Sequence, residues 1–356
     1  MAHETIRYGI IGTGMMGCEH IRNLALVPGV EVTAIADSDA ASRNWGRLAI
    51  GRDVEIYEDY RKLLRHARVD AVVVATPNFT HHDVLRAIFE TRVHALVEKP
   101  LCTEIEQCQW LIDAAEKHPG IVWVGMEYRY MRPVARLVEE VQGGAVGRLV
   151  MLAIREHRFP FLKKVADWNR FNRNTGGTLV EKCCHFFDLM NVIVRQRPLR
   201  VYASGAADVN HQDERYDGER PDILDNAFAV VDFAGGARAL LDLCMFAENS
   251  TNEMEIAATG DRGKLEAFVP AHRLVVTRRD RNEPATITFP ADANLAKAGA
   301  HHGSTFFEHV AFRDAIRSGG KPVVSVFDGA LAVAMGLAGE RSARLGRPVD
   351  LAELGF

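Results

Sequence analysis

Short apolar runs separated by longer stretches of helical spacing open the chain. Ile6-Arg7-Tyr8-Gly9-Ile10-Ile11, Val30 to Ala36, Ala71 to Ala75, His94 to Val97 and Ile121 to Gly125 read as strands. Between them, about Met15 to Leu26, Asp59 to Arg65, His82 to Glu90 and Thr103 to Lys117 carry apolar residues at helical intervals. The strand runs are nearly continuous in Val, Ile and Ala, as expected of parallel strands covered by helices on both faces. This βαβ order predicts an α/β domain with a doubly wound parallel sheet over residues 1–125.

The pattern changes after Gly125. A helix-like stretch from Pro133 to Val141 ends at Gly143-Gly144, and from Leu149 the chain becomes strand-rich. Leu149 to His157, Val201 to Ala207, Ala227 to Phe233, Ala237 to Cys244, Met254 to Thr259, Lys264 to Phe268 and Arg273 to Thr277 are the expected strands. Glycine-rich or charged turns join several of them directly, which predicts a mainly antiparallel sheet. One helix, Gly177 to Val194, interrupts the series, and Thr305 to Ser318 and Asp328 to Leu345 close the chain as helices. Residues 126–356 therefore read as a second, α+β domain, whose last helices can pack back on the first. Asn210 to Pro221 reads as an exposed loop.

Composition narrows the partners. The 47% hydrophobic and 25% charged residues are ordinary for a globular protein, and 43 basic against 47 acidic residues leave a net charge of -4. No electrostatic footprint for nucleic acid or an anionic membrane follows, so a small-molecule partner is expected. No apolar run approaches the roughly 20 residues that span a bilayer, and Met1-Ala2-His3-Glu4-Thr5 leads straight into a strand, so cytoplasmic residence is expected. The six cysteines lack Cys-x-x-Cys spacing and predict reduced thiols with no metal site; adjacent Cys183 and Cys184 read as small apolar packing.

Gly12-Thr13-Gly14-Met15-Met16-Gly17 places G-x-G-x-x-G after a strand and at the opening of a helix. There Gly12 permits a tight turn, Gly14 lets backbone approach a pyrophosphate, Gly17 allows close packing, and the helix N-terminus favours negative charge. Asp37 ends the second strand about 20 residues on, where a carboxylate holds ribose hydroxyls and repels an added phosphate. NAD is the expected cofactor, with NADP disfavoured; the alternative role of Asp37 is a helix cap. Arg43 nearby reads as a solvated helix residue. Thr76, Pro77, Asn78 and His81 follow the next strand, and Glu98 and Lys99 the one after, so both lie at the edge where such sheets bind ligands. Thr80 as a helix cap and His82 as a surface residue are the plainer readings of that segment.

Two stretches carry candidate chemistry. In His94-Ala95-Leu96-Val97-Glu98-Lys99-Pro100 an apolar strand ends on an amine held extended by the following proline. In Gly176-Gly177-Thr178-Leu179-Val180-Glu181-Lys182-Cys183-Cys184-His185-Phe186-Phe187-Asp188, Glu181 and His185 stand four apart, which on one helix puts both on one face. A histidine is the natural group to take a hydroxyl proton at neutral pH, and a carboxylate beside it can orient it or hold a neighbouring hydroxyl. The alternative is a stabilising helix pair or a core histidine, but the apolar neighbours predict a buried helix in which Glu, Lys and His need a reason.

The glycine motif, Thr76-Pro77, Glu98-Lys99-Pro100, Tyr128-Arg129-Tyr130, Gly176-Gly177 with Glu181-x-x-x-His185-x-x-Asp188, and the closing Gly346-Arg347-Pro348-Val349 together resemble the glucose-fructose oxidoreductase/inositol dehydrogenase/MocA family over most of the chain. The resemblance implies a Rossmann domain, a C-terminal domain with a large open sheet, a nicotinamide cofactor, and oxidation of a secondary or anomeric hydroxyl of a sugar, glycoside or cyclitol. It matches Lys99 to the family's active-site lysine and His185 to its catalytic histidine, and it puts Glu181 where aspartate is usual. Lys182 and Cys183 stand where small or apolar residues are typical. On this reading His185 takes the hydroxyl proton, Lys99 stabilises the developing alkoxide, and Glu181 binds a neighbouring hydroxyl or tunes both. Tyr128, Arg129, Trp168, Asn169 and Arg170 are candidate substrate contacts, and His301 and His302 a candidate cover. An NAD-dependent glycoside hydrolase using transient ring oxidation is the alternative enzyme, and a non-catalytic NAD-binding sensor the third reading. A homodimer or homotetramer is expected from the open sheet.

Overall fold

Every residue of the strand Ala71–Val74 is buried, as are nearly all of Ile6–Ile11 beside it, and these two strands form the middle of a parallel sheet. The structure is a computed structural model and describes residues 5–290, 292–299 and 301–356. In chain order the first elements are β1 (Ile6–Ile11), α1 (Met15–Leu24), β2 (Val30–Ala36), α2 (Ala40–Ile50), β3 (Glu55–Tyr57), α3 (Tyr60–His66), β4 (Ala71–Val74), α4 (His81–Phe89), β5 (His94–Glu98), α5 (Ile105–Ala115) and β6 (Val122–Gly125). The strand order is β3-β2-β1-β4-β5-β6, so the winding reverses between β1 and β4. Ligands of such sheets bind beyond the carboxyl ends of the strands at that reversal. Asp39 and Asp59 cap α2 and α3 by accepting backbone N–H bonds, whereas α1 has no side-chain cap and leaves its first N–H groups for another acceptor.

The chain divides into two compact units, and the first comprises residues up to Glu127 together with Asp292–Ala330. The returning segment brings α10 (Ala293–Ala298) and α11 (Ser304–Ser318) against α1, and α11 also reaches the parallel sheet. Phe312 of α11 packs edge-on against the buried Tyr8, and Trp123 lies 5.8 Å from the same ring. These contacts bury large aromatic surface, the strongest term available for holding a distant segment to a sheet.

The second unit, Tyr128–Ala291 and Leu331–Phe356, is built on nine strands. Its elements are α6 (Arg132–Gln142), β7 (Leu149–His157), α7 (Asn172–Thr175), α8 (Thr178–Glu181), α9 (Cys184–Val194), β8 (Pro198–Ala206), β9 (Asn226–Phe233), β10 (Arg238–Cys244), β11 (Met254–Gly260), β12 (Gly263–Val269), β13 (Arg273–Arg278), β14 (Ala285–Thr288), the end of α12 (Val326–Leu345), and β15 (Val349–Asp350). The order is β14-β13-β12-β11-β7-β10-β9-β8-β15, antiparallel throughout except for the parallel pair β7 and β10. Alternate residues such as Leu152, Ile154, Ala229, Val231 and Leu241 point into the core, where α6 and α9 cover one face. Met151, Tyr202, Phe228, Val230 and Leu240 stand exposed on the other.

One expected element is broken. The helix anticipated from Gly177 to Val194 is two pieces, α8 and α9, separated at Lys182 and Cys183. The Cys183 N–H reaches the Thr178 carbonyl at 3.3 Å, one residue too far for an α-helical ladder, and a new turn starts from the Cys183 carbonyl, which accepts from Phe186 and Phe187. Glu181 and His185 therefore belong to different helices, and the premise of one continuous helical face is corrected. Among the described residues no helix is long and apolar enough to cross a membrane.

Helix α12 reaches α8 through glycine. A Cβ added at Gly336 would lie 2.5 Å from the Leu179 carbonyl oxygen, and one at Gly339 would lie 2.9 Å from the Leu179 side chain. Gly336→Ala is expected to destabilise the protein by about 1–3 kcal/mol through overpacking against backbone, read as a lowered midpoint in thermal or urea unfolding. An unchanged midpoint would show that α12 does not press on α8.

Candidate functional site

In the first unit the turn after β1 is shaped by close approach. Gly12 adopts φ +90, and a Cβ there would lie 2.6 Å from the Ala75 backbone; one at Gly17 would run into the Gly12 carbonyl oxygen. A Cβ at Gly14 meets nothing within 4 Å, so this glycine faces open space at the start of α1. Thr13 is buried, and its N–H donates to Asp37 Oδ2 at 2.7 Å while Asp39 N–H donates to Asp37 Oδ1 at 2.9 Å. The carboxylate at the end of β2 is thereby fixed beside the glycine turn. Met15 is exposed and Met16 half-buried on α1. Arg43 is not the solvated residue expected: its side chain is 18% exposed and donates to the Asp37 and Ser38 carbonyls and to Glu58.

At the end of β4, the Thr80 hydroxyl donates to the Pro77 carbonyl at 2.7 Å and lies 2.8 Å from the Thr76 hydroxyl. Asn78 is buried, and its Nδ2 has no hydrogen-bond partner among the described residues, so this donor is available to a ligand. His81 is fully buried with its ring nitrogens 2.8 Å from the Pro100 carbonyl and 2.9 Å from that of Thr76. Burial lowers its pKa, and the ring ties the two strand ends together instead of presenting a nitrogen to a cofactor.

Lys99 is half-buried at the end of β5, and its N–H donates to Glu98 Oε2 at 3.1 Å. Glu98 is 5% exposed and accepts from His20 Nε2 at 2.8 Å, while His20 Nδ1 lies 2.9 Å from His309 Nε2. Burial alone would raise the Glu98 carboxyl, but the bond and charge of His20, with Lys99 and His301, hold it at about 2. His309 goes the other way, because burial and His20 keep it neutral. Ring-nitrogen contacts thus run from His309 of α11 through His20 of α1 to Glu98, the residue before Lys99. His301 is held by Glu19 at 2.6 Å and lies 3.8 Å from Glu127.

The second unit holds a separate constellation. His185, 2% exposed, stacks on Tyr128 with ring centroids 4.0 Å apart and planes 3° from parallel. Lys182 Nζ donates to the Tyr128 hydroxyl at 2.6 Å and pairs with Glu156 at 2.8 Å. Glu181 is buried at the end of α8. Arg129 grips Asp188 with two bonds, Nε to Oδ2 at 2.6 Å and Nη2 to Oδ1 at 2.5 Å, fixing the Tyr128 segment to α9. Trp168 is half-buried with the Lys164 ammonium 5.1 Å from its ring; Asn169 Nδ2 donates to the Leu162 carbonyl; and Arg170, 1% exposed, pairs with Glu214 at 2.8 Å. Arg170 thus anchors the loop at Glu214, in a segment expected to be merely exposed. Sequence reasoning did not single out Glu156, His20 or His309. Among the described residues no cluster of His, Cys, Asp or Glu is arranged to hold a metal ion, and the cysteines are free thiols.

The turn geometry, the uncapped start of α1, the carboxylate at Asp37 and the orphaned Asn78 amide fit a dinucleotide. Comparison with known proteins agrees. Residues 6–126 match the model of the oxidoreductase family with an NAD-binding Rossmann fold, and residues 138–351 match its C-terminal alpha/beta domain. Myo-inositol 2-dehydrogenase of Thermotoga maritima is 26% identical over 98% of this chain and 99% of its own length. The uncharacterized oxidoreductase YrbE of Bacillus subtilis is 29% identical, over 66% of this chain and 65% of its own length. A levoglucosan dehydrogenase solved with NADH and levoglucosan shares the fold at a TM-score of 0.85, with 21% identity, over 98% of this chain and 100% of that one. The chain belongs to the glucose-fructose oxidoreductase/inositol dehydrogenase/MocA family of NAD-binding oxidoreductases.

Proposed function

We propose that the protein is an NAD-dependent dehydrogenase that oxidises a secondary or anomeric hydroxyl of a cyclic polyol: a sugar, a glycoside or a cyclitol such as an inositol. The observation that carries this reading is the buried imidazole of His185, held face to face with Tyr128 in the unit that accompanies the NAD-binding fold. A full-length relative named myo-inositol 2-dehydrogenase supports the substrate class. NAD+, when bound, supplies the hydride acceptor. His185 takes the hydroxyl proton, and Lys99 donates a hydrogen bond to the oxygen as negative charge develops on it. Glu181, longer by one methylene than an aspartate, binds an adjacent hydroxyl. Asp37 receives the adenosine ribose, with Gly12, Thr13, Gly14, Met15, Met16 and Gly17 forming the pyrophosphate turn.

The test is NADH appearance when NAD+ is offered with a panel of inositols, aldoses and glycosides, with product analysis in parallel. One stereochemical subset is expected to reduce NAD+. Release of an aglycone without net NADH would replace this reading with the hydrolase. With the substrate so found, Lys99→Met is expected to lower kcat by at least about hundredfold while NAD+ affinity stays within a few-fold, as titrated by fluorescence. Unchanged turnover would remove Lys99 from the mechanism.

Cofactor choice follows from Asp37 and its neighbour. Because Arg43 already donates to the Asp37 carbonyl, Asp37→Ser leaves a cation near the ribose and removes the repelling carboxylate. The ratio of kcat/KM for NADP+ to that for NAD+ is expected to rise by at least about tenfold, equivalent to 1.4 kcal/mol. An unchanged ratio would make Asp37 a structural cap.

The exposed apolar face of the nine-stranded sheet supports a homo-oligomer, with a second copy covering Met151, Tyr202, Phe228, Val230 and Leu240. Phe228→Glu is expected to shift the protein to a monomer in analytical ultracentrifugation. An oligomer that survives this change would place the interface elsewhere.

A further inference from the structure

The proposed chemistry leaves one buried cation without a task. Lys182 is 3% exposed, and it sits where α8 breaks from α9. Burying an ammonium costs several kcal/mol unless it is paired, and an apolar side chain of the same length would fill the space without that cost. Its ammonium lies between two rings, Tyr128 and Phe186, whose centroids are 4.9 and 5.6 Å away. Nζ donates to the Tyr128 hydroxyl at 2.6 Å and lies 4.9 Å from the centroid of that ring, while Glu156 at 2.8 Å balances the charge. Glu156 is itself 1% exposed on the inward register of β7, with Arg158 3.7 Å away. Tyr128 then lies parallel to the His185 ring, and Arg129 next to it is clamped by Asp188.

We propose that Lys182 is a positioning residue for His185. Its ammonium, balanced by Glu156, pins the Tyr128 hydroxyl and so fixes the plane of the phenol ring. That plane in turn sets the plane of the imidazole stacked on it. A stacked contact alone lets two rings slide and tilt, because aromatic pairs accept several offsets at similar energy. A charge-assisted bond at the far end of the phenol removes that freedom. The inference deepens the reading of His185 as the base, since proton transfer from a hydroxyl requires a nitrogen aimed within hydrogen-bond reach.

The test has one arm that needs no substrate. In protein carrying 13C-labelled histidine, the His185 ring signal is assigned by its loss in His185→Asn, and the parallel Tyr128 ring shifts it upfield. In Lys182→Met, and in Tyr128→Phe, which keeps the ring but loses the hydroxyl, this signal is expected to move downfield and broaden. Lys182→Met with Glu156→Gln removes both charges together and guards against misfolding from a lone buried carboxylate. The second arm uses the polyol that reduces NAD+. Each single variant is expected to lower kcat by about tenfold to hundredfold with the KM for NAD+ unchanged, and the Lys182→Met/Tyr128→Phe pair is expected to be no worse than the poorer single variant. An unmoved His185 signal in all three variants overturns the proposal, as does a moved signal with wild-type kcat. If no polyol is oxidised, the dehydrogenase reading fails while the resonance still decides whether Lys182 sets the ring.

Discussion

Charge buried at the ends of elements is the constraint on which the rest of this structure depends. Glu98, Glu156, Glu181, Lys182, His185 and Asp188 all have 5% exposure or less. An ionised group in such surroundings persists only when its partner is built in, because desolvation costs several kcal/mol per ion. The fold answers with a cross-element partner at almost every such position. His20 of α1 meets Glu98 of β5; Lys182 between α8 and α9 meets Glu156 of β7; Arg129 meets Asp188 of α9. Each pair also ties together segments far apart in sequence, so the placement of chemistry and the packing of elements are one problem.

In the first unit that pairing has a consequence for the lysine. His309, His20 and Glu98 form a hydrogen-bonded line that ends one residue before Lys99, and Lys99 N–H closes on the same carboxylate. The His81 ring is packed between the Thr76 and Pro100 carbonyls, its nitrogens 2.9 and 2.8 Å from them, and donates to one of the two. The backbone on either side of the Lys99 side chain thus has a fixed contact, Lys99 N–H with Glu98 and the Pro100 carbonyl with His81. In the second unit the grip is exerted through ring planes: ammonium to phenol, phenol to imidazole.

Much of this was legible in the chain. The parallel strands appear at nearly the expected bounds because largely buried runs of Val, Ile and Ala leave a strong signal: Ile6–Ile11 and Val30–Ala36 coincide with the reading, as does Leu149–His157 of the second sheet, whose other expected strands differ by one to three residues at an end. The strands not foreseen, Glu55–Tyr57, Ala285–Thr288 and Val349–Asp350, are two to four residues long at sheet edges, too short for any period to register. The break at Lys182 and Cys183 is not legible because apolar residues on both sides of it keep helical spacing. Glu156 was findable, since alternation along Leu149–His157 puts it in register with Leu152 and Ile154, both buried. Its partner was not, because the pairing of β7 with the α8–α9 break is set by the tertiary fold alone. Asp37 and the glycine turn were readable at once, as local geometry carries them, whereas the commitment of Arg170 to Glu214 needed a loop whose path no pattern encodes.

The measurement that tests the central claim most directly follows an isotope from substrate to cofactor. A cyclic polyol carrying deuterium on the carbinol carbon is incubated with the protein and NAD+, and the nicotinamide is recovered. The account predicts deuterium at C4 of the reduced cofactor, on one face, in amounts equal to the ketone or lactone formed. Deuterium retained in the polyol or released to water, with no labelled NADH, would contradict it.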